Sequence, residues 1–188
     1  MNIGILFFIV SVIWIVSEII LARMKHSGTS DSAPDKHSLR ILWITIAICV
    51  NLGIILGFSH VGTIRTGNAS ISITGLAFIV LGLVIRWTAI LTLKKYFTVD
   101  VAIAADQRLV TNGLYKIIRH PAYTGSLISF LGLGLSISSW ISVVVIFIPI
   151  LSAFLYRIRV EEKALFEYFG EEYVQYASTT KRLVPWIY

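Results

Sequence analysis

Apolar residues run along this chain in stretches long enough for a membrane rather than a water-facing core. The stretches at about 3–22, 41–59 and 71–93 each approach the roughly 20 residues needed to cross a hydrocarbon core of about 30 Å. A fourth apolar block, Thr124 to Tyr156, is interrupted near Ser136-Ile137-Ser138-Ser139-Trp140. Its two limbs of about 16 residues reach roughly 24 Å at 1.5 Å per residue, so the pattern predicts a tight helical hairpin that barely crosses. Gly125, Gly132 and Gly134 are expected to let the limbs approach, and Pro149 to kink the second. From Arg159 onward, Val160, Leu165, Phe169, Tyr173 and Tyr176 recur at helical spacing against Glu161, Glu167 and Glu171. That spacing predicts an amphipathic tail helix, divided at Gly170.

Polar segments separate these elements. Ser27 to Lys36 reads as a linker, and Tyr96 to Asn112 as a connection with an extended Phe97–Val101 and a turn at Asn112-Gly113. The predicted fold class is all-α and integral to the membrane: five transmembrane helices, including the C-terminal hairpin, and a cytoplasmic amphipathic tail helix. A three-span region, 1–95, leads into a second region, 96–188, within one continuous domain.

Composition agrees with this picture and narrows it. Of 188 residues, 56% are hydrophobic and 14% charged, with a mean hydropathy of +0.82. Soluble domains are nearer a quarter charged, so an ordinary aqueous fold is excluded. A net charge of +6 would suit nucleic acid, but the basic residues flank apolar runs, which makes them topology signals. With the N-terminus outside, fourteen of the 16 basic residues fall in inner segments. Arg65 is alone in an outer loop and Arg86 lies within a span. The chain is therefore expected to be multi-pass, N-terminus outside and C-terminus cytoplasmic. Arg23 and Lys25 follow the first apolar run rather than preceding it, the reverse of a secretory signal. One cysteine, Cys49, excludes an intrachain disulfide and reads as packing. GxGxxG, Walker, HExxH and GxSxG patterns are absent.

Candidate chemistry concentrates in two clusters about forty residues apart. The first is Gly113-Leu114-Tyr115-Lys116-Ile117-Ile118-Arg119-His120-Pro121-Ala122-Tyr123-Thr124-Gly125, and the second Arg157-Ile158-Arg159-Val160-Glu161-Glu162. Taken singly, each has a plain explanation. Pro121 opens a helix, Arg119 snorkels to phosphates, and the two glutamates are solvated charges. Folding the hairpin back, however, sets Arg119 and His120 beside Arg157 and Glu161. Polar groups that converge under apolar walls suit a small zwitterionic ligand. Glu18 and Arg86, both costly within a span, are expected to pair and line the same site. His60 falls on the opposite side.

These residues carry a resemblance. Leu109-Val110-Thr111-Asn112-Gly113-Leu114-Tyr115, then Arg119-His120-Pro121-Ala122-Tyr123-Thr124-Gly125, the apolar hairpin, Glu161-Glu162 and Phe169-Gly170-Glu171-Glu172-Tyr173 together resemble the isoprenylcysteine carboxyl methyltransferase family. The similarity covers about residues 96–188; phospholipid methyltransferases also show the Arg-His-Pro-x-Tyr-x-Gly motif. The resemblance implies an enzyme that uses S-adenosylmethionine. His120, Pro121, Ala122 and Tyr123 would line that cofactor, with Tyr115 and the stretch Gln107, Arg108, Leu109 and Val110 closing over it. Glu161, or its neighbour Glu162, would hold the cofactor's amino or ribose end, and Asp100 stands where a polar cofactor contact, often an amide, is usual. Arg157, with Arg119, would meet the acidic group of a lipophilic substrate entering from the bilayer.

The implied reaction methylates a prenylcysteine-like carboxylate. A carboxylate is already ionised at neutral pH and needs no general base, so positioning and water exclusion supply the catalysis. A phenolic lipid, phospholipid amine or thiol acceptor would need a base, for which His120 or Glu162 are candidates. A membrane reductase using NADPH and a non-enzymatic membrane scaffold are the other classes compatible with the spans. Membrane lipids are expected partners and nucleic acid is not.

Overall fold

The computed structural model describes residues 3–24, 33–59, 62–64, 68–98 and 107–188. Six α-helices follow in order: α1 (Ile3–Met24), α2 (Ala33–Phe58), α3 (Asn68–Leu93), α4 (Pro121–Ser136), α5 (Trp140–Phe169) and α6 (Glu171–Thr179). Short 3-10 turns occupy Lys94–Tyr96 and Gly113–Lys116. Among the described residues there is no strand, only two isolated bridges, Thr63 with Ser139 and Ile118 with Lys181. The expected all-α class agrees with these elements.

Among the described residues four helices, α1, α2, α3 and α5, are long and apolar enough to cross a membrane. The expectation of five spans meets an exception in α4. At 16 residues it is roughly 24 Å long, short of the hydrocarbon core. Ten of its residues are buried, so it is an interior helix, whereas α1 and α2 turn most of their apolar side chains outward.

The glycines expected inside the hairpin mostly serve another contact. A Cβ on Gly132 would come within 2.5 Å of the Gly75 carbonyl, and one on Gly125 within 2.6 Å of the Gly82 carbonyl. The reciprocal positions meet equally close backbone. Two Gly pairs seven residues apart on each helix thus bring the backbones of α3 and α4 together antiparallel. Only Gly134 faces α5, where its Cβ would lie 2.8 Å from Val143 Cα. The hairpin turn itself falls where the sequence is interrupted: Ser138 takes a positive φ of 57°, and the Ser139 side chain caps α5 by accepting from Ser142 N at 3.3 Å.

Two boundaries differ from the apolar pattern. The tail helix expected from Arg159 is no separate element, because α5 runs unbroken from Trp140 to Phe169 and carries Pro149 within it. Without a helix breaker after Tyr156, the backbone continues its ladder and only the face in contact changes. Gly170 ends it at φ +54° and starts α6, where the sequence placed a division. Similarly α2 begins at Ala33, inside the segment read as a linker. The helix gains two polar turns, and Ser38 on them is fully buried.

Candidate active site

The site forms where the start of α4 meets the C-terminal half of α5. Pro121 supplies the first residue of α4, where a missing N–H costs nothing, and His120 is its cap residue. The chain's final segment fastens this corner. Arg119 N donates to Lys181 O at 2.7 Å, His120 N to Arg182 O at 3.0 Å, and Thr124 Oγ1 to Leu183 O at 2.8 Å. His120 is 5% exposed and stacks on Tyr123, with ring centroids 5.6 Å apart and 11° between planes.

Glu162 is the hub of a cluster of two arginines and a histidine. Arg119 Nε donates to its Oε1 at 2.9 Å, Arg182 Nε to its Oε2 at 2.8 Å, and His120 Nε2 lies 3.4 Å from Oε1. Arg119 Nη1 also donates to the carbonyls of Ala177 and Thr180 at the end of α6. Arg119 is therefore tied into the packing of α5, α6 and the final segment. Glu162 is fully engaged and lines no part of the pocket described next. Pro121 is likewise buried away from it.

Glu161 turns the other way, into a polar pocket. Its Oε2 is buried without a hydrogen-bond partner and lies 3.8 Å from His120 Nδ1. Gln107, Arg108, Leu109, Val110, Tyr115, His120, Ala122 and Tyr123 line the same pocket, with Arg119 and Arg157 at its edges. It encloses about 120 Å³ and borders Thr98 and Gln107, on either side of 99–106. Asp100 lies outside the described residues, as does His60. Tyr173 also lines the pocket, and its buried hydroxyl has no hydrogen-bond partner. Burial, then the nearby Glu162 carboxylate, pushes this phenol well above its ordinary pKa, and burial, then Glu161, does the same to Tyr115. Both are neutral hydrogen-bonding groups at physiological pH.

Sequence reasoning missed part of this lining: Leu93, Tyr96, Phe97, Thr98, Leu165, Phe169, Tyr173 and Tyr176. A signal for two of them was present. Arg157, Glu161, Leu165 and Phe169 follow one another at i, i+4 along α5, so one helix face carries all four. Tyr176 packs α6 on the loop by donating from its hydroxyl to Tyr115 O at 2.7 Å.

Beside the polar pocket lies a larger apolar cavity of about 780 Å³, bounded by α1, α2, α4 and α5 and by Arg86 of α3. Its lining runs along α2 from Leu39 to Phe58, and on the other wall through Trp14, Phe130 and Ile137. Four residues, Phe97, Thr98, Tyr123 and Arg157, line both spaces. Arg157 is 2% exposed, and its Nη1 donates to Ser38 Oγ at 2.8 Å. Glu18 and Arg86 pair as expected: Arg86 Nε and Nη2 donate to the two Glu18 oxygens at 2.7 and 2.8 Å, and both residues line the cavity. Among the described residues no group of His, Cys, Asp and Glu could hold a metal ion.

Residues 75–167 match the model of the isoprenylcysteine carboxyl methyltransferase family. The chain is 38% identical over 119 residues to protein-S-isoprenylcysteine O-methyltransferase B of Arabidopsis thaliana, covering 62% of this chain and 60% of the plant protein. The corresponding mouse enzyme is 32% identical, with 62% of this chain and 42% of the mouse protein covered. The fold is similar to a solved eukaryotic intramembrane Ras methyltransferase of the same kind, with a TM-score of 0.64 and 26% identity. That match covers 77% of this chain and 52% of the solved one. The chain thus spans roughly three fifths of the plant relative and about half of the solved structure.

Proposed function

We propose that this chain, whose residues 75–167 match the model of the isoprenylcysteine carboxyl methyltransferase family, is a member of that family: an integral-membrane methyltransferase acting on the carboxylate of a prenylcysteine-like lipid. Its methyl donor would be S-adenosylmethionine, which supplies an electrophilic methyl group on a sulfonium. The observation that carries this reading is Arg157: one guanidinium edges both a polar pocket and an apolar cavity.

The pocket's chemistry fits the donor. Glu161 Oε2, a buried acceptor without a hydrogen-bond partner, matches an ammonium or a ribose hydroxyl. Tyr115, Phe169, Tyr173 and Tyr176 offer aromatic surface for a purine and a cation. The Tyr173 hydroxyl adds an unmet hydrogen-bonding group. The cavity fits the acceptor: apolar walls hold the lipid, and Arg157 orients its carboxylate in a bidentate fork. The acceptor is ionised at neutral pH, so these residues need only bind, align and exclude water. His120, clamped between Glu162 and Tyr123, acts through position rather than as a base.

The polar pocket belongs to the cytoplasmic side, with the N-terminus outside and the C-terminus inside, as the basic residues suggest. In this arrangement α4 is a short fifth crossing, alongside α3 from Arg86 to Ser72. The lipid would enter from the bilayer between helices and the donor from the aqueous side.

Calorimetry on protein in nanodiscs tests the reading. Wild type should bind S-adenosylmethionine at micromolar concentration, and Glu161→Ala should lose that binding. Failure of folded wild type to bind would overturn it, and NADPH binding in its place would identify a reductase.

A further inference from the structure

The ion pair between Glu18 and Arg86 lies at the junction of three helices. Arg86 on α3 grips both carboxylate oxygens of Glu18 on α1. Its Nη1 donates to Ser126 Oγ at 2.8 Å and approaches Ala122 O at 3.4 Å, both on the first turns of α4. Tyr123, which lines both pocket and cavity, is held between those two contacts in sequence. The side chains are only 12% and 21% exposed. A pair so placed within an apolar span carries a desolvation cost that packing alone would avoid.

What the pair fastens is α1. This helix lies outside residues 75–167, which match the family model. Phe7, Trp14, Ile15 and Ile19 of α1 form one wall of the apolar cavity. Among the described residues α1 contributes nothing to the polar pocket. Its end is also held by Leu21, packed with Ala89, Ile90, Tyr115 and Ala122, so losing the ion pair would loosen the cavity wall without releasing the pocket's own residues.

We propose that Glu18 is a positioning residue for the lipid acceptor: through Arg86 it locks α1 as the cavity wall against the α4 turn that carries Tyr123. The inference rests on the methyltransferase reading for what fills the cavity. It separates two affinities that share one site, since α1 borders the acceptor's space and not the donor's.

The test compares wild type, Glu18→Gln, Glu18→Asp and the paired variant Glu18→Leu with Arg86→Met, in nanodiscs. The paired variant removes both charges, so it leaves no buried cation and is expected to fold even if Glu18→Gln does not. S-adenosylmethionine affinity is read by calorimetry, acceptor KM by turnover of N-acetyl-S-farnesylcysteine, and direct binding of that lipid without turnover. The paired variant should raise acceptor KM and lipid Kd about tenfold, with donor Kd within about twofold of wild type, while Glu18→Asp recovers most of the loss. Unchanged lipid binding in the paired variant would overturn the proposal, as would donor and acceptor affinities falling together. Wild type that binds the lipid through the pair but not S-adenosylmethionine would overturn the methyltransferase reading and leave the positioning role standing.

Discussion

Glu161 and Glu162 are consecutive in α5 and face opposite surroundings. Glu162 is gripped by Arg119, Arg182 and His120, whereas Glu161 keeps a buried oxygen without a hydrogen-bond partner, aimed into the polar pocket. The 100° step between neighbours on a helix is enough to give one carboxylate a structural task and leave the other open to a ligand.

Their glutamine variants should therefore behave differently. Glu162→Gln leaves Arg119 and Arg182 crowded without their shared counter-charge, and removing one partner of a buried pair costs about 3–5 kcal/mol. Thermal unfolding in nanodiscs should show that loss. Glu161→Gln should leave the midpoint unchanged and weaken donor binding at least tenfold. Equal effects on stability from both would contradict the division of roles.

The α3–α4 contact gives a second expectation. Gly82→Ala would place a methyl 2.4 Å from the Gly125 carbonyl. The Ser129 hydroxyl it also meets could turn away, but the Gly125 carbonyl and Ser129 N are backbone and cannot, so the cost should reach or exceed about 3 kcal/mol. Thermal melts check this, and a loss below about 0.5 kcal/mol would contradict the interhelical approach.

Arg157→Lys keeps a positive charge but loses the planar fork and its hold on Ser38. Acceptor kcat/KM should fall between about tenfold and a hundredfold, each tenfold being about 1.4 kcal/mol of barrier. Donor affinity should change less, because the pocket's other residues remain. Steady-state kinetics with the lipid varied at saturating donor measures the difference.

A pH dependence follows from Tyr176. Burial pushes its phenol up to about 12, against opposing effects of Arg119 and Thr180. A group with a raised folded-state pKa gives stability that is complete below its unfolded value near 10 and lost as pH rises toward 12. Stability should be level up to about pH 10 and decline between 10 and 12, and Tyr176→Phe should flatten part of that decline. Chemical denaturation across this range is the check.

How far the sequence could be read depended on the range of the interaction. Local periodicity located the apolar helices, the interruption before Trp140 and the division at Gly170, because each is decided by neighbouring residues. It failed at the start of α2 and the end of α5, where polar residues are helical for tertiary reasons: Ser38 packs under Arg157, and Glu162 under Arg182. The glycines of α4 were visible, but their partners Gly75 and Gly82 lie some fifty residues upstream and share no local signal. The Glu18–Arg86 pair was legible because ionisable residues within spans are costly and few. Phe97, Thr98 and the α6 tyrosines join the site only through folding back of the chain, which a single sequence does not encode visibly.

The central claim is tested most directly by incubating the nanodisc protein with methyl-labelled S-adenosylmethionine and a prenylcysteine lipid, then treating the product with base. A methyl ester releases its label as methanol under base, and the account predicts label transfer that is base-labile and absent in Arg157→Met. No transfer by folded protein, or a label that resists base as an ether or amine would, contradicts it.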